Sequence, residues 1–268
     1  MRRALAAGAL LVVAALLPAG PAAAGLADRI GVTFTLMADE FIQAFQPVEG
    51  IVVSLEGDEI FLDIGSGRGG QVGQEYTIFR KGAPFLHPLT GRPLGRYEDL
   101  LGWAQIRRVQ PEFAVATFVP APDKARPQPE DGARITRGRI KIAVAPVLDM
   151  TSAGADLRRV PYLLATVLER SKRFQVVDPL AVSDMFVAGT LRVEEMLARP
   201  ERAVRAAKNL DVAGWIVPVL LERRGQVALD VTYISAITGL ALFSRRLPLL
   251  PNSAVEEQRF PWEPPVED

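Results

Sequence analysis

The chain is predicted to be α+β, a small antiparallel β-barrel followed by an α/β sandwich with a mixed sheet. Three observations carry this. Short apolar alternations at regular spacing, punctuated by glycine and proline turns, fill residues 48–119. From residue 139 onward, strand-like runs alternate with helical stripes. Between them, residues 120–137 contain four prolines and several charges.

The first twenty-four residues read as a secretion signal. Met1-Arg2-Arg3 is a positive start, Ala4 to Leu17 is an apolar run too short to span a bilayer comfortably, and Ala22-Ala23-Ala24 offers small residues for cleavage. The mature chain is expected to begin near Gly25 and to be periplasmic. It has no cysteine, which excludes disulfides and a cysteine-linked lipid anchor.

Residues 26–46 read as an amphipathic helix ended by Pro47, with Ile30, Phe34, Met37, Phe41 and Phe45 on one stripe. Packing of that stripe on the following barrel is the favoured explanation. Partner docking is the alternative, with Phe34, Met37, Phe41 and Phe45 as the candidate contacts.

The barrel begins with a hairpin: Ile51, Val53 and Leu55 alternate, Gly57-Asp58 turns, and Ile60, Leu62 and Ile64 alternate again. The loop Gly65 to Gly70 precedes a strand over Glu75–Arg80, and Pro88 to Gly91 is a turn. Strands are expected at Trp103–Val109 and Phe113–Val119, with a last barrel strand near Gly132–Ile135 before the linker ends.

In the sandwich, Ile140–Val147 reads as a strand buried on both faces. Val160, Leu163, Leu164, Val167 and Leu168 form a helical stripe, and a strand follows at Phe174–Val177. Asp178 is placed as an N-cap before Pro179, and Pro200 opens a helix bearing Ala203, Val204, Ala207 and Leu210. Trp215–Leu221 is a strand whose Pro218 suggests an edge or a bulge. Arg224-Gly225 turns into Val227–Tyr233, and Thr238-Gly239 into a final strand over Leu240–Leu247. A proline-rich acidic tail occupies 251–268.

Two stretches resemble known families. "GIVVSLEGDEIFLDIGSGRGGQVGQEYTIFR", "HPLTGRPLG" and "GWAQIRRV" resemble the C-terminal barrel domain of the flagellar assembly protein T family, through Gly50, Gly57, Asp63, Gly65, Gly73, Gln74, Pro88, Thr90, Gly91 and Gly95. "IKIAVAPVLD", "LERSKRFQVVDP", "AAKNLDVAGWIVPVLLE" and "VALDVTYISAITG" are similar to the N-terminal domain of the Tol-Pal translocation protein B. The curli-assembly lipoprotein and the lipoprotein activators of peptidoglycan synthases share that architecture. The resemblance implies a periplasmic scaffold or adaptor of an envelope machine, flagellar basal-body-like assembly being one such setting. The alternative it implies is regulation of a cell-wall synthase, or a part in outer-membrane secretion or assembly.

Residue types argue against chemistry. Basic and acidic residues are equal at 31 each, and no basic block suggests nucleic acid. No apolar stretch after the signal is long enough to span a membrane. His87, the sole histidine, reads as a turn residue with no partner for general-base work. The glycine loop lacks the following helix that a phosphate cradle needs. Glu56, Asp58, Glu59 and Asp63 crowd one hairpin without calcium-loop spacing. Asp149, Asp156 and Asp178 read as caps, and Arg223-Arg224 with Arg245-Arg246 as a small basic edge. No catalytic, metal or cofactor residue is assigned, and a carboxylate-dependent hydrolase is kept only as a remote alternative. The expected partners are envelope proteins, with self-association left open.

Overall fold

A computed structural model describes residues 25–152, 154–189 and 191–251. The segment read as a secretion signal lies outside the described residues, as does the tail after Pro251.

The chain begins with helix α1 (Leu26–Ala44). The barrel strands follow: β1 (Glu49–Glu56), β2 (Glu59–Leu62), β3 (Glu75–Leu86), β4 (Pro93–Val109), β5 (Ala114–Pro120) and β6 (Gly132–Arg134). They pair in the order β1-β2-β5-β4-β3-β6, and short β6 pairs with both β3 and β1, closing the sheet. Inward-facing Val52, Ile60, Leu62, Tyr76, Ile78, Ala104, Ile106 and Ala116 fill the barrel.

The sandwich contains β7 (Ile140–Val144), β8 (Leu148–Met150), α2 (Val160–Arg170), β9 (Phe174–Val176), α3 (Pro179–Val187), α4 (Val193–Ala198), α5 (Pro200–Leu210), β10 (Gly214–Arg223), β11 (Gln226–Ser235) and β12 (Ala241–Pro248). Its mixed sheet runs β12-β11-β10-β7-β9, with β8 added beside β10. β7 is covered on both faces, as its apolar run requires. Ile140, Ile142 and Val144 join one core, while Ala143 and Ala145 join the core under α3, α4 and α5.

The expected edge at Pro218 is not there. β10 is an interior strand, flanked by β11 on one side and by β7 and β8 on the other. β7 pairs with residues 214–216 and β8 with residues 219–221, so Pro218 falls in the gap between them. On that side its missing N–H removes no ladder hydrogen bond.

The placement of α1 also corrects the sequence reading. Its stripe covers the sandwich sheet rather than the barrel. The Phe41 ring meets Phe243 of β12 edge-on at 4.8 Å, and Phe45 meets Tyr233 of β11 at 4.6 Å and Phe174 of β9 at 5.4 Å. Gly31 lies against Leu163 of α2, where the absence of a Cβ allows the two helices to approach. The helix preceding the barrel in sequence thus completes one helical layer of the domain that follows it.

Barrel and sandwich are joined by polar contacts. Glu75 Oε2 on β3 accepts from Ser235 Oγ on β11 at 2.8 Å and from Gln105 Nε2 on β4 at 2.8 Å. Gln105 Nε2 also reaches Thr238 Oγ1 at 2.9 Å. Buried Arg173 donates to the carbonyls of Phe45, of Gly138 at 2.6 Å and of Thr136 at 2.6 Å, tying the end of α1 and the linker to the start of β9. Gly73, with φ of +87°, sits against the Leu242 carbonyl, where a side chain would collide.

Candidate interaction surface

β3 and β4 are longer than the barrel. Their outer halves, Lys81–Leu86 and Pro93–Leu100, project as a two-stranded arm exposed on both faces. The arm carries Phe85, Leu86, Leu89, Leu94, Tyr97 and Leu100 into solvent, Leu89 at the tip being 89 % exposed. Phe85 and Tyr97 meet edge-on at 5.5 Å. An isolated hairpin is marginal in water, so the arm depends on how its root is held.

That root is braced by ion pairs. Arg80 grips Asp131 with Nε to Oδ1 at 2.9 Å and Nη2 to Oδ2 at 2.7 Å. Arg134 engages Glu98 through two bonds of 2.8 and 2.5 Å, and Lys124 Nζ meets Asp99 at 2.7 Å. The Arg134 guanidinium also lies 4.3 Å from the Phe79 ring centre. At the tip, His87 N donates to the Arg92 carbonyl at 2.9 Å, and His87 Nδ1 accepts from the amides of Leu89 and Thr90 at 3.2 and 3.3 Å. His87 is therefore a turn residue, as its setting in the sequence suggests.

A second exposed apolar feature lies on the sandwich. A groove of about 540 Å³ runs between the start of α2 and α3, past the end of β7, and its walls include Leu157, Pro161, Tyr162, Leu180, Phe186 and Val187. Asp156 and Arg158 stand at its mouth, joined by bonds of 2.5 to 3.1 Å. These bonds hold the Asp156 carboxyl down to about 2.

The residues marked in the sequence as partner contacts sit elsewhere. Phe34, Met37, Phe41 and Phe45 are all buried in the chain's own core. They come together as one cluster, but a partner would have to displace α1 to reach them. The hairpin carboxylates do not converge either. Asp63 pairs with Arg68 at 2.5 Å, Asp58 with Arg126 at 3.0 Å and Glu59 with Arg108 at 3.2 Å, each with its own arginine. Among the described residues, no group of three or more His, Cys, Asp or Glu side chains could hold a metal ion. The glycine loop forms a single 3₁₀ turn at Ser66–Arg68, and Gly65 and Gly70 pack against the backbone of Pro111 and Ile64. Two arginines of the basic edge are compensated: Arg246 pairs with Asp230 at 2.5 Å, and Arg245 with Glu40 of α1.

A second shifted carboxyl is internal. Burial pushes the Glu75 carboxyl above its ordinary range, and the bonds from Gln105 and Ser235 offset this only in part. Burial, with Glu75 nearby, likewise raises the Tyr233 phenol well above its ordinary value. Glu75 and Tyr233 line a small interface cavity of about 130 Å³ together with Phe45, Arg134 and Ile237.

No family model and no curated protein matches the chain. The flagellar resemblance of the barrel segment therefore gains no support. Solved structures show a limited likeness. The LpoB C-terminal domain from Escherichia coli is 15% identical over 41% of this chain and 82% of that one, with a TM-score of 0.35. Lipoprotein GNA1162 from Neisseria meningitidis is 15% identical over 41% of this chain and 78% of that one, with a TM-score of 0.32. A PelC dodecamer from Paraburkholderia phytofirmans is 13% identical over 45% and 82%, with a TM-score of 0.28. Likeness at this level carries no functional argument. Among the described residues, no helix is long and apolar enough to cross a membrane.

Proposed function

We propose that this chain is a non-enzymatic binding protein of the bacterial envelope, an adaptor that engages another envelope protein through its β3–β4 arm. The carrying observation is the arm itself. It projects apolar side chains that stay largely open to solvent, while three ion pairs brace its root. Exposed apolar surface on a braced support is what a docking element needs, because pre-organisation lowers the entropy lost on binding. The secretion signal read in the sequence supports a periplasmic setting.

A second reading uses the same surface. A binding domain seated on a cell-wall synthase would regulate it, and the α/β sandwich is the architecture that the resemblance to synthase activators anticipates. The two readings separate by one experiment. Leu89→Asp/Leu94→Asp is compared with the parent chain for recovery of envelope complexes and for its effect on synthase rate in vitro. Loss of complex without any rate effect of the parent favours an adaptor. A rate effect that disappears in the variant favours regulation. An unchanged complex in the variant contradicts both.

A further inference from the structure

We propose that the groove between α2 and α3 is the seat of the chain's own C-terminal segment, with Pro261 to Pro265 as the part that docks. This site is separate from the arm and does not depend on the function proposed for it.

The position of the chain end is the first argument. Leu250 N donates to Thr33 Oγ1 at 3.2 Å, and Arg29 Nε donates to the Leu250 carbonyl at 2.7 Å. The last described residues therefore lie along the first half of α1. That half abuts the start of α2: Asp28 lies 3.8 Å from Arg159, and Gly31 lies against Leu163. The same turn of α2 supplies Pro161 and Tyr162 to the groove. The chain end is thus one helix away from the groove, and the ten residues from Pro251 to Pro261 can span about 30 Å.

The chemistry of the segment is the second argument. Residues 261–265 read Pro-Trp-Glu-Pro-Pro, with Phe260 before them. Prolines at 261 and 264 favour the polyproline II conformation, which docks in aromatic-lined grooves at low entropic cost. Here Tyr162 and Phe186 are the aromatic lining, and Pro146 and Pro161 add flat apolar surface. Trp262 is large enough to fill much of such a groove. Tethering also raises the segment's local concentration to about the millimolar range, so weak intrinsic affinity suffices.

The absence of cysteine makes a clean test available. In the full-length chain, Asp184→Cys places one thiol on an exposed position of α3 beside the groove, where a nitroxide spin label is attached. The Trp262 indole N–H signal is then followed by NMR, with buried Trp215, read after the nitroxide has been chemically reduced, as the fold control. The proposal predicts that the label erases the Trp262 signal at every protein concentration. It also predicts that Leu180→Asp/Val187→Asp, at two exposed groove residues, restores that signal while Trp215 is unchanged. Equal Trp262 intensity with and without the groove substitutions would overturn it. Broadening that grows with protein concentration would also overturn it, since the occupant would then be a second copy.

Discussion

Glu75 on the arm-bearing strand and Ser235 at the end of β11 are joined by a 2.8 Å hydrogen bond across the boundary between barrel and sandwich. The bond places a buried acid where the two domains meet. Its burial favours the protonated form, so the folded pKa is raised above the ordinary 4.5. The protonated form's stabilising contribution is complete below about 4.5 and is lost as pH rises through the raised folded value. Glu75→Gln keeps a neutral acceptor at this position and removes the titration. Its melting temperature should therefore vary less with pH above 4.5 than the parent's, and should equal or exceed the parent's at pH 7. Parallel pH profiles for the two proteins would exclude Glu75 as a contributor.

Phe41 is fully buried against Phe243 and Phe34. Phe41→Ala should destabilise the chain by about 3–5 kcal/mol, seen as a lower midpoint in urea with a similar slope. An unchanged midpoint would mean that α1 does not hold the sandwich face in solution.

Arg173 donates to three backbone carbonyls. Arg173→Met removes these bonds and leaves the buried end of α1 unsatisfied, which should cost about 1–3 kcal/mol. Arg173→Lys should recover only part of this, since an ammonium lacks the fork that reaches three directions. Chemical denaturation of both variants provides the check.

Asp178 caps α3, its side chain accepting from Leu180 N at 2.9 Å. Asp178→Ala should cost about 1 kcal/mol and loosen one wall of the groove, measurable as faster amide exchange in α3.

The elements that were legible in the sequence are those with one buried face. Ile60, Leu62 and Ile64 alternate because they face the barrel interior, and Asp178-Pro179 announces a cap because its chemistry is local. In β1 the alternation points the wrong way: Val52 is buried, whereas Ile51 and Val53 are exposed, because three successive apolar residues leave the inward face undecided. The arm was not legible. Its strands are exposed on both faces, so no period of two marks them, and only the turn at Pro88 to Gly91 stands out. The docking of α1 was missed for a different reason. A stripe shows that a face is buried but not against what, and its partners Phe174 and Phe243 lie more than a hundred residues away. Glu75 and Ser235 meet across 160 residues, which no local pattern records.

The central claim is that the arm is the docking surface, and site-specific photocrosslinking in the native periplasm tests it most directly. One photoreactive residue is placed at Leu89, on the arm tip, and separately at Leu36, an exposed apolar position on α1. The account predicts a discrete adduct with another envelope protein from position 89, lost in the presence of Leu94→Asp, and none from position 36. Adducts from position 36 alone, or from neither position, would contradict it.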